Sequence, residues 1–206
     1  QSDQEIVIGA LREKIIPIHK ELSEAGQYSY AALCATVLYT LFDKPESTFK
    51  EDALSLILVC LQQPHQVCES SRALLQGLGQ DDVDPYVDVL LAEDALKDGA
   101  EPILSQLMAV AISQGSYDAR MRVFVKHVAW KLRVNVEAVC DLETCMAETL
   151  ALSQYEMSEE EKLEKIKKAK RRKYKRYALI GLATIAGGTL IGVTGGLAAP
   201  LVAAGA

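Results

Sequence analysis

The side chains best suited to bind another molecule are ten lysine and arginine residues within residues 162–176. They directly precede residues 177–206, which carry no charged side chain. Clustered cations beside an apolar segment attract anionic phospholipid headgroups, and each is worth roughly 1 kcal/mol near such a surface. We therefore expect headgroup contacts from the six cations closest to the apolar segment. They are Lys170, Arg171, Arg172, Lys173, Lys175 and Arg176.

The uncharged segment itself has the length of a membrane-spanning helix. Residues 178–199 form a run of 22 residues without charge, and about 20 apolar residues are enough to cross the hydrocarbon core. Positive charge before a span favours the cytosolic side for that flank. We therefore predict a glycine-rich transmembrane segment over 177–206, with residues 1–176 facing the cytosol.

Three glycines in this segment are spaced for helix packing. Gly188, Gly192 and Gly196 are four residues apart and share one face of a helix. Small residues at that spacing let two membrane helices approach closely, so the pattern predicts a helix partner in the membrane. The alternative is a poor helix that lies against protein, because each glycine costs a helix in water about 1 kcal/mol relative to alanine.

No catalytic, cofactor-binding or metal-binding residue is predicted. The three histidines, His19, His65 and His127, are far apart and form neither H-x-x-x-H nor H-E-x-x-H. The sequence also lacks the serine nucleophile elbow, the phosphate-binding P-loop and the dinucleotide-binding glycine pattern. Trp130, the single tryptophan, is expected to anchor the core.

Charge is divided unevenly along the chain. Residues 1–161 carry 12 basic and 27 acidic side chains, a net charge of −15, whereas 162–206 carry 10 basic and one acidic, a net charge of +9. Binding to nucleic acid depends on cations that contact phosphates. The acidic part is therefore a poor nucleic-acid binder, and anionic membrane lipids are the expected partner of the basic run.

Apolar residues recur at helical spacing from end to end, which predicts an all-α, multi-helix bundle. Gly26 is expected to end the first helix, and a nearly all-apolar helix over 28–42 should be central to the core. Ser116 and Asn135 are expected to cap later helices. We divide the chain into an acidic helical domain (1–155), a charged juxtamembrane helix with a short coiled coil (156–176) and the glycine-rich transmembrane segment (177–206).

Two stretches resemble the family of transmembrane and coiled-coil domain-containing protein 4. The run KRYALIGLATIAGGTLIGVTGGLAAPLVAAGA, residues 175–206, is similar to the membrane segment of that family. The run YDARMRVFVKHVAWKLRV, residues 117–134, resembles its helical region. The resemblance implies that a full-length relative continues past residue 206 into an α/β-hydrolase-like domain with a serine nucleophile. None of those hydrolase residues occurs in this chain, and we expect the chain to be part of a longer protein.

These patterns together predict a membrane-anchored helical protein that tethers or positions a hydrolase-like region. One alternative is a tail-anchored regulator whose helical bundle binds a partner helix. Another is a part of a membrane lipid hydrolase whose catalytic domain lies outside this chain.

Overall fold

The structure, a computed structural model, describes residues 17–42, 48–79, 82–154 and 172–185. Every regular element in these ranges is helical, which confirms the all-α prediction for the described part of the chain. A 3₁₀ turn, Asp94–Leu96, lies between the fifth and sixth α-helices. In chain order the helices are α1 Ile18–Glu21, α2 Glu24–Leu41, α3 Phe49–Cys60, α4 His65–Leu75, α5 Asp84–Leu91, α6 Glu101–Ile112, α7 Ala119–Lys131, α8 Val136–Gln154 and α9 Arg172–Ile185.

Two helices, α2 and α6, form the centre of the fold. Both are apolar on nearly every face, and such helices must be covered all round. Residues 29–38 of α2 and 102–111 of α6 are buried without interruption. The Tyr30 hydroxyl on α2 donates to the Ile103 carbonyl oxygen on α6 over 3.3 Å, and this bond satisfies a polar group that burial would otherwise leave unpaired.

The start of α2 differs from the sequence prediction. Gly26 does not end a helix but lies inside α2, because Ser23 caps that helix three residues earlier. The Ser23 hydroxyl oxygen accepts from the Gly26 backbone N–H over 3.0 Å, and the same side chain bonds to the carboxylate of Glu93. A Cβ at Gly26 would meet that carboxylate, so a larger residue here would displace the Glu93 side chain.

Side-chain caps mark the starts of α7 and α8, and a left-handed residue follows the end of α7. Asn135 caps α8 as predicted, with its side-chain oxygen 2.9 Å from the Glu137 backbone nitrogen. Helix α7 is capped by Asp118 and not by Ser116, because the Asp118 carboxylate accepts from the Arg120 backbone N–H over 2.7 Å. At the end of α7, Arg133 has a φ of 59°, a left-handed conformation that glycine usually occupies.

The predicted transmembrane segment is not confirmed. Among the helices of the described ranges, none combines the length and the apolar character that a membrane span requires. Residues 177–185 belong to α9, and residues 186–206 lie outside the described residues. Most of the predicted juxtamembrane helix and its coiled coil, residues 156–171, also falls outside them.

Candidate membrane-anchor junction

Helix α9 is docked on the helical domain through its small and apolar residues. It packs mainly on α6 and also on α8. Ala178 and Leu182 are fully buried in this contact and join the main core. These residues come from the start of the uncharged stretch, so the part of the chain that leads into the tail is also part of the domain.

A close backbone approach sets the position of α9 along α6. Gly181 faces Ser105, and a Cβ on Gly181 would lie 2.5 Å from the Ser105 carbonyl oxygen. The Ser105 hydroxyl in turn donates a hydrogen bond to the carbonyl oxygen of Tyr177. Only a residue without a side chain allows this approach, which is the geometry that small residues provide between packed helices.

Acidic side chains of the domain pair with two lysines of α9. The Lys173 ammonium group lies 3.1 Å from a carboxylate oxygen of Glu101 and 3.2 Å from the Asp98 carbonyl oxygen. On the other side, Lys175 lies 3.7 Å from a carboxylate oxygen of Glu148 on α8. The basic start of α9 therefore matches acidic groups on both helices that it contacts.

Ionisation of the junction follows from these contacts. Burial acts to lower the pKa of Lys173, but the hydrogen bond and charge of Glu101 outweigh it and raise that pKa overall. Burial also raises the pKa of Tyr177, whose ring centroid lies 5.7 Å from the Lys173 ammonium. At neutral pH the junction thus holds a charged lysine next to a neutral tyrosine.

The predicted lipid-binding cations have different environments. Lys173 and Lys175 lie beside carboxylates, and both Lys173 and Arg176 are exposed to solvent. Arg172 is the first residue of α9. Lys170 and Arg171 lie outside the described residues, as do Gly188, Gly192 and Gly196. Contact with headgroups, and helix packing by the three glycines, therefore stay predictions.

The prediction that Trp130 anchors the core is wrong. Its side chain is 65% exposed on the solvent face of α7. The ring of His127 lies 5.3 Å from it in an edge-to-face arrangement, and the Lys131 ammonium lies 4.8 Å from its centroid. Burial, with a smaller effect from Lys131, lowers the pKa of His127.

Elsewhere in the described part of the chain, possible metal ligands and clefts give weaker support for a functional site. No group of three or more His, Cys, Asp or Glu residues there is placed to hold a metal ion. A largely apolar cleft with a volume of about 470 Å³ opens between α3, the end of α6 and the start of α7. Phe49, Leu56, Val59 and Met121 contribute its apolar lining, and the Arg120 guanidinium stacks 4.3 Å from the Phe49 ring.

Comparison with known proteins relates this chain to a family of unknown function and to one relative that is named a membrane protein. Residues 172–206, which begin at the first residue of α9, match a family described as "Protein of unknown function (DUF726)". A relative from Caenorhabditis elegans, named an uncharacterized membrane protein, is 36% identical over 178 residues. The alignment covers 84% of this chain but 29% of the relative, so the chain spans less than a third of that protein's length. No solved structure matches the chain.

Proposed function

We propose that this chain is the cytosol-facing helical region of a membrane protein, and that α9 connects it to a membrane segment in the tail. The observation that carries the proposal is the docking of α9 on the helical domain, because the residues that follow this docked helix in the sequence carry no charge. Residues 186–206 supply 21 uncharged residues beyond the docked part, and about 20 suffice for a span.

This proposal moves the start of the membrane segment along the chain. A span that begins near Tyr177 would have to remove Ala178 and Leu182 from the core, where both are now buried. A span over 186–206 leaves the domain intact. It also leaves Arg176 exposed near the membrane, where a cation favours the cytosolic side and anionic headgroups.

The proposed role is tethering and positioning of whatever the longer protein carries. The C. elegans relative, whose sequence is similar to this chain, is named a membrane protein. That name supports an association of this protein with a membrane. The resemblance to the family of transmembrane and coiled-coil domain-containing protein 4 implies a hydrolase activity. That activity would reside in sequence outside this chain.

The test compares the full chain with a variant that ends at Ile185. Both are expressed in cells, and membranes are washed with alkaline carbonate and floated on a density gradient. We expect the full chain to float after the wash and the shortened chain to be soluble and helical. A third variant, with residues 186–206 replaced by a glycine and serine sequence of equal length, controls for chain length.

Two results would contradict the proposal. One is release of the full chain into the supernatant by the carbonate wash. The other is flotation of the variant that ends at Ile185, because the membrane contact would then lie in the helical domain and not in the tail.

A further inference from the structure

Helix α7 carries an exposed face that combines an aromatic ring with positive charge. We call it the Trp130 face and define it by Val123, Lys126, His127, Trp130 and Arg133. Trp130 is 65% exposed and Val123 is 52% exposed, whereas the opposite side of α7 is buried against the core. Large apolar side chains that stay exposed on a helix often mark an interaction site.

The charge around this face is one-sided. Residues 119–136 contain five basic side chains and no acidic one, although residues 1–161 as a whole have 12 basic and 27 acidic side chains. Arg120 and Arg122 are paired with Asp118 and Glu143. Lys126 is half-buried and its charge acts on Glu143, whose pKa it helps to lower. Arg133 is exposed and forms no salt bridge with another described residue.

The end of α7 supports a role for Arg133 beyond the fold. Its φ of 59° places an arginine where the backbone favours glycine. The arginine side chain is exposed and adds a positive charge three residues after Trp130 in the sequence. Residues held in sparsely populated backbone conformations cluster at functional sites.

We infer that the Trp130 face lies against the anionic lipid surface of the membrane that holds the tail. Tryptophan concentrates at the headgroup level of membranes because one part of its ring is apolar and another donates a hydrogen bond. Lys131 lies 4.8 Å from the ring centroid, and Lys126 and Arg133, close to Trp130 in sequence, add further charge of the sign that attracts anionic lipids.

Electrostatics selects this face over the rest of the domain. An anionic surface repels a domain with a net charge of −15 in residues 1–161, and the repulsion is least where the surface charge is positive. This inference rests on the proposed tail anchor, because a tethered domain meets the membrane at high effective concentration and needs only a weak contact.

The single tryptophan of the sequence makes the inference directly measurable. The full chain is reconstituted into vesicles of phosphatidylcholine alone or of phosphatidylcholine with phosphatidylserine, and tryptophan emission is recorded. With phosphatidylserine we expect a blue shift and quenching by brominated lipid. Without phosphatidylserine, or at high salt, we expect the emission of a solvent-exposed ring.

Charge reversal with a matched control tests the cations. Lys126→Glu should abolish the blue shift and the quenching in anionic vesicles. Lys20→Glu makes the same change at an exposed residue of α1 and should preserve both signals. Circular dichroism of each variant in detergent checks that the helical fold is retained.

The outcomes separate this inference from the proposed function. If the chain floats with anionic vesicles but its tryptophan emission is unchanged, the inference is overturned and the anchor stands. If the chain does not float, both fail. A blue shift that appears without lipid and grows with protein concentration would assign the face to a second copy of the chain and overturn the lipid assignment.

Discussion

Gly181 and Ser105 bring two helix backbones into direct contact. A Cβ on residue 181 would lie 2.5 Å from the Ser105 carbonyl oxygen and 2.7 Å from its hydroxyl oxygen. The backbone oxygen cannot move without shifting α6, which lies at the centre of the fold. The pair therefore fixes one position of α9 on the domain.

Whether replacement of Gly181 raises or lowers the stability of the protein tests this contact. In an isolated helix Gly181→Ala would stabilise by about 1 kcal/mol. Here the added methyl group meets backbone, and such overpacking typically costs about 1–3 kcal/mol. We expect a lower urea midpoint for Gly181→Ala in the chain that ends at Ile185. An increase in the midpoint would mean that α9 does not approach α6 this closely.

A second prediction concerns Glu143, which joins α7 to α8. Its carboxylate accepts two bonds from Arg122, at 2.7 and 2.8 Å, and one from the Tyr117 hydroxyl at 3.2 Å. Glu143→Gln should cost about 1–2 kcal/mol in the free energy of unfolding. Glu148→Gln is the matched control, because its salt-bridge partner among the described residues, Lys175, is 3.7 Å away and such surface pairs contribute at most about 1 kcal/mol.

The same carboxylate predicts a dependence on acid. The hydrogen bond from Arg122, opposed by burial, lowers the pKa of Glu143 below its ordinary value. Its contribution to stability is therefore complete above the ordinary glutamate pKa of about 4.3 and is lost as the pH falls through the lowered pKa. Unfolding curves measured across this range should converge for the wild type and Glu143→Gln at the acid end.

His19 should produce a separate pH dependence. Its ring is buried and its Nδ1 lies 2.7 Å from the side-chain nitrogen of Gln106. Burial, reinforced by Lys20 and opposed by the Gln106 bond, lowers the pKa of His19 to about 4. Stability should be complete above about pH 6.5 and fall towards pH 4, by on the order of 3 kcal/mol in all.

Substitution of His19 separates its contribution to the pH dependence of stability from the contributions of other groups. His19→Gln should flatten the stability profile between these pH values, because glutamine does not titrate. His65→Gln changes a histidine that is 82% exposed and should leave the slope in place. Equal slopes in wild type and His19→Gln would rule out a buried neutral His19.

Arg133 offers a prediction in which stability and lipid contact move in opposite directions. Arg133→Gly relieves a left-handed conformation and should raise stability by up to about 1 kcal/mol. The loss of the cation should at the same time weaken the tryptophan blue shift in anionic vesicles. Gln62→Gly, at the other non-glycine residue of the described chain with positive φ, should raise stability without affecting the tryptophan.

The sequence predicted the helical class because apolar spacing is a local property. The central position of α2 followed from its almost wholly apolar composition, and the Asn135 cap from its residue type. Trp130 was assigned to the core because residue type and spacing do not show whether another helix covers its side of α7, and none of the described helices buries it. Gly181 was missed for a similar reason, since its role depends on Ser105, which is remote in sequence.

The residue at which the helical domain ends and the tail begins was the feature that the sequence predicted least well. Hydropathy treats residues 177–206 as one uncharged block, but Ala178 and Leu182 are equally suited to a protein core and to a lipid phase. The acidic partners on α6 and α8 favour the protein for α9. That preference depends on Glu101 and Glu148, which only the tertiary fold brings to this helix.

The fixed position of α9 also sets a height. Gly181 is held against Ser105, and the 21 uncharged residues of the proposed span begin at residue 186. Even fully extended, the five residue-to-residue steps from 181 to 186 reach no further than about 18 Å. If residues 186–206 span the membrane as proposed, the helical domain stays at a nearly constant distance from the bilayer surface. A molecule that binds the helical domain would then have to do so within that distance of the membrane.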